Sequence, residues 1–309
     1  MNDRFYSCAK ALVATVRAGS MSAAAAELNT TKSAISQKLG LFEAELGLVL
    51  LDRSGWAVAP TAAGRRIFEI CVGPVDAALE AEAQLGFARS GKIAGRVSVS
   101  GPNSLLCTVL VPLLAGLRSR YPAIELELHA DDSKSDFAAE DIDLSFRTGP
   151  ADKGRFISAA LPSAQRAPIA SPAFAERMPR LSRPADLAWM PCVLRTQESG
   201  KWAFRNKEGQ QEIIEPTIGL RVNSMELAFA AVLAGQGAAL LPSLLTEVHI
   251  QAGNLVRLIP DWSADPVALS LLCRPERLAA SQVAAVRRHI LDACGNSGFL
   301  GAELQYEKV

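Results

Sequence analysis

The stretch "SAAAAELNTTKSAISQKLGLFEAELGLVLLDR", from Ser22 to Arg53, constrains the fold more than any other part of the chain. Ile35, Leu39, Phe42 and Leu46 recur at i, i+4, i+7 and i+11, the single apolar stripe of an α-helix, and Thr31 stands where its N-cap belongs. At about 100° per residue, Ser33, Ser36, Gln37 and Gly40 fall on the opposite face. These are short hydrogen-bonding groups, not the long charged chains of a merely solvated surface, so the face permits close approach. In the preceding helix Ala23, Ala24, Ala25 and Ala26 let two helix axes come near each other across Asn29-Thr30-Thr31. A helix-turn-helix accounts for the pattern, and an ordinary helical hairpin with a polar face has the same local signature.

The flanks extend the first reading. Leu50 to Arg53 and Trp56 to Val58 surround a Ser54-Gly55 turn, as in a short hairpin or wing, and Thr61 is placed to cap a further helix. In a winged helix-turn-helix the second helix enters the DNA major groove N-terminus first. There Ser, Gln and Lys reach base edges and free backbone N–H groups hold phosphate. From Thr61 to Gly91 a long helix is expected, with Ile67, Ile70, Val75, Leu79 and Leu85 apolar and Gly91 as its stop. Its length suggests a dimerisation helix, which supplies the twofold symmetry of DNA half-sites. Pro74 removes one backbone donor, so either a kink between Ile70 and Pro74 or two shorter helices is expected.

Beyond Gly91 the pattern becomes an alternation of strands and helices. Short apolar runs occur at Arg96 to Ser100, Ile124 to His129, Ile142 to Arg147 and Arg166 to Ser171, then at Met190 to Arg195, Ile218 to Asn223, Gly237 to Pro242 and Val267 to Cys273. They predict an α/β domain with mostly parallel strands. Ligands of such folds bind beyond the carboxyl ends of the strands, which here carry Ser100, Asn103, Ser104, Arg147, Thr148, Thr196, Gln197, Asn223 and Ser224. Helix starts after Asn103 and after Ser224 would aim N–H groups at an anion. Ser104 and Asn223 have capping as an alternative role, and Arg147 a strand-end ion pair. Small polar groups with one Arg suit a compact organic acid.

The string "VRAGSMSAAAAELNTTKSAISQKLGLFEAELGLVLLDRS" followed by "PTAAG" resembles the DNA-binding domain of LysR-type transcriptional regulators, almost without gaps from Phe5 to Gly64. The resemblance implies an N-terminal winged helix-turn-helix, a long linker helix and a C-terminal two-lobed effector domain resembling type II periplasmic binding proteins. It covers about Phe5 to Cys294, leaving "GNSGFLGAELQYEKV" outside. The implied units are 1–60, 61–91 and 92–295, with lobe I at about 92–161 and 267–295, lobe II at about 162–266, and a tail at 296–309. Base and phosphate contacts would fall on Thr31, Lys32, Ser33, Ser36, Gln37 and Lys38, with Arg53 at the wing. The effector cleft would lie at the ends corresponding to Ser100 and Asn223. Double-stranded promoter DNA and a small-molecule effector are the implied partners, with RNA polymerase as a further candidate.

Gly40, Trp56 and Ala57 stand where members of that family often carry Arg or another long polar residue. From Met1 to Arg66 eight basic residues face five acidic ones, a balance of +3, so a single reading head should bind DNA poorly. Assembly into a homodimer or homotetramer would raise the effective concentration of heads. Over the 309 residues, 49% hydrophobic against 21% charged suits packed cores in two or three domains. Lys plus Arg equals Asp plus Glu at 32 each, so bulk charge excludes no partner. No apolar run suits a membrane span, and the opening "MNDRFYSCAK" lacks the pattern of a signal peptide, which makes the cytoplasm the expected compartment. Six scattered cysteines without metal spacing favour buried thiols over a zinc site or disulfides. Three histidines in separate elements, with no nucleophile elbow and no phosphate loop, argue against an enzyme. No cofactor is expected.

Overall fold

The computed structural model describes residues 3–52, 58–89, 93–132, 142–149, 156–179 and 181–295. The N-terminal unit contains α1 (Asp3–Ala18), α2 (Met21–Glu27), α3 (Lys32–Leu46), β1 (Leu51–Asp52), β2 (Ala59–Pro60) and α4 (Ala62–Arg89). Ile35, Leu39 and Phe42 of α3 are fully buried against Leu12 and Ala11 of α1 and Ala25 of α2. Of the alanine run, Ala24 and Ala25 are buried and Ala23 and Ala26 are exposed, so half of it forms the close helix contact. Asn29 closes the turn with φ 49°, a left-handed conformation that Asn tolerates better than other side chains.

The expected wing begins as an antiparallel pair, Leu51 opposite Pro60 and Asp52 opposite Ala59. Arg53 and the Ser54-Gly55 turn, with Trp56 and Ala57, lie outside the described residues. Thr61 caps α4 as its position suggested: its Oγ1 accepts from the Gly64 N–H at 3.0 Å while its hydroxyl donates to the Val49 carbonyl at 2.7 Å. Gly64 is required here, since a Cβ would stand 1.9 Å from the Leu50 carbonyl oxygen.

Helix α4 runs through Pro74 as one element, so two shorter helices do not occur. Its apolar positions are not a free seam. Val75 is buried in the N-terminal core, Ile67 packs against that core, and Leu79 packs against both it and the core of the following domain, while Ile70 is 68% exposed. The periodicity reported burial at Ile67, Val75 and Leu79, whose partners lie within the chain, but not at Ile70. The side chain of Leu85, and Gly91, lie outside the described residues.

The C-terminal domain opens with β3 (Ala94–Gly101), α5 (Asn103–Leu105), a π-helical turn (Leu106–Leu110) and α6 (Val111–Arg120). Pro112 in the first turn of α6 has no N–H for a carbonyl one turn back, which accounts for the widened turn before it. There follow β4 (Ala123–Ala130), β5 (Leu144–Thr148), β6 (Ile157–Ala170), α7 (Pro172–Ala175), a 3₁₀ turn (Pro184–Trp189), β7 (Cys192–Arg195), β8 (Trp202–Asn206), β9 (Gln211–Ile214) and β10 (Ile218–Val222). The remainder is α8 (Met225–Leu233), β11 (Ala239–Pro242), α9 (Ser243–Gln251), β12 (Val256–Arg257), β13 (Trp262–Cys273), α10 (Pro275–Leu278) and α11 (Ser281–Gly295).

The strands are not mostly parallel. Among the described residues β3 pairs in parallel with β4 and β5, and β7 with β10, but the other ladders of this domain are antiparallel. The cause is the long pair β6 and β13, which crosses between the lobes. Ile157 opposite Cys273 through Leu161 opposite Leu269 belong to lobe I, and Arg166 opposite Ala264 to lobe II. Register shifts fall between Ala264 and Val267 and again between Val267 and Leu269. Pro162 and Pro266, which cannot donate to a ladder, sit at this irregular joint. Lobe I encloses Leu144, Phe146, Ile157 and Ile290, and lobe II encloses Trp202, Leu194 and Leu187 in one core and Val193, Ile169 and Val232 in another.

The N-terminal unit is docked on lobe I. Helix α4 packs against α10 and α11, and Arg17 of α1, its side chain 2% exposed, makes a bidentate pair with Asp76 of α4 at 2.8 and 2.8 Å. The same guanidinium donates to the Phe156 carbonyl at 3.5 Å. Glu27 at the end of α2 is half-buried beside Glu276 of α10, and desolvation first, then that carboxylate, push its carboxyl up to about 7.

Candidate functional site

Two surfaces collect the polar residues singled out in the sequence. On the first, Thr31 caps α3 through its Oγ1, which accepts from the Ala34 N–H at 3.2 Å, and its hydroxyl lies 2.9 Å from that of Ser33. Thr31, Lys32, Ser33 and Gln37 are exposed, and Ser36 and Lys38 are half-buried. Lys32 makes no ion pair with any described residue, so its ammonium is available to a phosphate. A Cβ at Gly40 would meet nothing within 4 Å, so no neighbour in this chain demands glycine there and the outer face stays open. Arg53 lies outside the described residues.

The second surface is a cavity of about 120 Å³ between the lobes. Lobe I supplies Pro102, Ser104, Leu105 and Thr108 from the helix after β3, Asp132 after β4 and Thr148 at the end of β5. Lobe II supplies Arg195 and Gln197 at the end of β7, Asn223 and Met225 after β10, and Pro242 at the end of β11 with Leu244 and Leu245 after it. Ala164, Val267 and Leu269 of the crossing strands complete the lining. The cavity thus lies beyond the carboxyl ends of strands from both lobes, where an open α/β sheet places its ligands.

Of the sequence candidates, Ser104, Thr148, Gln197 and Asn223 line this cavity. The others do not. Ser100 is buried, its hydroxyl 2.9 Å from that of Ser145. Asn103 accepts from the Cys107 thiol at 3.6 Å, and Ser224 caps α8 by accepting from the Leu227 N–H at 3.1 Å. Thr196 is exposed beside the mouth, its N–H bound to the Val222 carbonyl at 2.8 Å. Arg147 precedes Thr148 on β5, and strand alternation sends it to the opposite face of the sheet. Asp132, Arg195 and Thr108 were missed. Asp132 follows β4 by two residues, so scanning every strand end would have found it. Thr108 depends on the π-helical turn, which no periodicity reports.

The lining is chemically lopsided. Arg195 gives Nε and Nη2 to the Glu198 carboxylate at 3.0 and 2.9 Å, so its charge is compensated inside lobe II. Gln197 donates to the Asn223 carbonyl at 3.0 Å, and the Thr108 hydroxyl to the Ser104 carbonyl at 2.6 Å. Among the described residues Asp132 accepts from the Asn103 N–H alone, at 3.2 Å. Among the described residues no group of His, Cys, Asp and Glu is arranged to hold a metal ion, and no helix is long and apolar enough to cross a membrane. Burial pushes the Cys192 thiol up to about 12 and Cys294 to about 11, which keeps both protonated and unreactive.

Residues 9–65 match the model of the bacterial regulatory helix-turn-helix protein, lysR family, and residues 90–295 match the LysR substrate binding domain. The chain is 29% identical over 294 residues to the HTH-type transcriptional regulator PtxR of Pseudomonas aeruginosa, covering 94% of this chain and 93% of that one. It is 32% identical over 255 residues to a putative transcriptional regulator of the same organism, covering 81% and 83%. The full-length structure of the Vibrio cholerae virulence activator AphB superposes with a TM-score of 0.59 at 20% identity, over 95% of this chain and all of that one. CrgA of Neisseria meningitidis gives 0.57 at 23% identity, over 94% and 99%. At that identity the structural likeness concerns the fold alone.

Proposed function

Since the chain belongs to the LysR family of DNA-binding regulators, we propose that it is a sequence-specific transcriptional regulator whose DNA binding or promoter activation is set by a small molecule held between the two lobes. The observation that carries this reading is the pairing, in one chain, of an open polar face on α3 with an interlobe cavity at the strand ends. Thr31, Lys32, Ser33, Ser36, Gln37 and Lys38, with Arg53, read and hold DNA; Ser104, Thr148, Gln197 and Asn223 contact the effector. The working units are 1–60, 61–91 and 92–295, and the protein acts as a homodimer or homotetramer. Support for assembly comes from the small positive balance of the reading head and from Ile70, an apolar side chain left 68% exposed on α4.

A ligand biases DNA binding only if it favours one arrangement of lobes and heads over another. The docking of α4 on α10 and α11 gives lobe I a direct grip on the helix that carries the heads. A gel shift with the protein's own upstream DNA, with and without candidate metabolites, tests the reading. Ser104→Ala should weaken the effector response yet leave ligand-free DNA binding within about twofold, because it loses at most one hydrogen bond far from the duplex. Loss of ligand-free binding in that variant, or no retardation of the wild-type complex, refutes the assignment.

A further inference from the structure

We propose that the interlobe cavity takes a compact molecule with a protonated primary amine at one end and a short apolar body at the other, the ammonium seated on Asp132. This rests on reading the cavity as the effector site and goes on to name the chemistry of its occupant.

Asp132 is half-buried in the lining, and among the described residues no cation lies within ion-pair distance; its one contact is the Asn103 N–H at 3.2 Å. The cation on the facing lobe, Arg195, is spent on Glu198. Among the neutral groups of the lining, one N–H of the Gln197 amide goes to the Asn223 carbonyl and the Thr108 hydroxyl to the Ser104 carbonyl, while the Ser104 and Thr148 hydroxyls can accept as well as donate. Acceptor capacity converges at the Asp132 carboxylate, Gln197 Oε1 and Thr108 Oγ1, and only the carboxylate carries a charge. A donor-rich, positively charged head satisfies all three.

The rest of the wall is apolar, with Leu105, Met225, Leu244, Leu245, Val267 and Leu269. Closing such a wall over an unpaired carboxylate strips its hydration at a cost that a cation offsets and a second carboxylate would increase. A compact organic acid is therefore a poor occupant, and Arg147, which suggested one, stands on the other face of β5. A cavity of about 120 Å³ is somewhat smaller than one that admits benzene, which limits the apolar body to a few carbons unless the lobes part.

Three near-isosteric probes small enough for the cavity separate the possibilities: propylamine, propan-1-ol and propanoate, titrated into the full-length protein by calorimetry near neutral pH, where the amine is protonated. The amine should bind with Kd at or below about 1 mM, and the alcohol and the carboxylate about tenfold more weakly or worse. Asp132→Asn keeps an acceptor for the Asn103 N–H and should erase the advantage of the amine over the alcohol. Thr148→Trp, at an exposed strand end where a large side chain enters the cavity, should block every probe while circular dichroism shows the fold unchanged. A carboxylate that binds tighter than the amine, still blocked by Thr148→Trp, overturns the amine and leaves the cleft standing. Amine binding that survives Thr148→Trp overturns the cleft as its site, and no saturable amine binding up to about 10 mM overturns the proposal outright.

Discussion

Lys32 opens α3 and Gln37 lies exposed further along the helix, and their chemistry divides affinity from specificity. An amide can make a bidentate contact to adenine, so Gln37→Ala should cost about 1–3 kcal/mol of discrimination between operator and random DNA. Lys32→Ala should weaken both alike and flatten the salt dependence by about one unit of slope. Competition gel shifts at several salt concentrations measure both; unchanged operator preference in Gln37→Ala would remove it from the base contacts. Glu27 gives a prediction in pH. Burial first, then Glu276, push its carboxyl from the ordinary 4.5 up to about 7, so the folded state keeps a proton that the unfolded chain releases. Stability should therefore fall as pH rises from 4.5 to about 7 and level off above that. Glu27→Gln should remove that slope and raise the melting temperature at pH 8, and an unaltered slope in the variant would assign the effect to another group. These residues differ in how far the sequence exposed them. Lys32 and Gln37 follow from helix periodicity alone, whereas Glu27 acquires its neighbour Glu276 only through tertiary docking, across some two hundred and fifty intervening residues.

At the scale of elements, the helices of the reading head were legible because each has one buried face and a local cap: Ile35, Leu39 and Phe42 with Thr31, and Gly64 with Thr61. The strands were legible as strands but not in their direction. A short apolar run reports burial and not direction, and β6 and β13 bury Ile157, Leu161, Ile169, Leu271 and Leu272 while running antiparallel. For α4 the apolar pattern found Ile67, Val75 and Leu79, missed that Ile70 stays exposed, and could not say whose core the buried ones enter. Arg17 was equally silent, an ordinary basic residue at the end of α1 that becomes the clasp of α1, α4 and lobe I. Arg17→Met should leave Asp76 largely buried without its partner and destabilise the protein by about 3 kcal/mol, with most of that recovered in Arg17→Met/Asp76→Leu. Chemical denaturation of both variants checks this; a single variant as stable as wild type would mean that the pair contributes nothing to docking.

The whole molecule is two lobes and a reading head, and an interlobe cavity lies at strand ends that the sequence named, with several of the named side chains standing away from it. Strand alternation explains Arg147, capping explains Ser224, and the hydroxyl pair with Ser145 explains Ser100. What no local pattern contained is the joint itself. Val267 and Leu269 touch the cavity and also belong to the irregular stretch of the β6–β13 ladder, beside Pro162 and Pro266. Amides in such a stretch exchange their hydrogens through small local openings, not through global unfolding. A ligand held against Val267 and Leu269 suppresses those openings, so exchange at Val267, Ala268 and Leu269 should slow on binding while Leu271 and Leu272, deep in lobe I, keep their rates. Equal slowing at all five amides would show a general tightening instead. The crossing strands thus convert occupancy of the cavity into a clock, readable amide by amide without any DNA present.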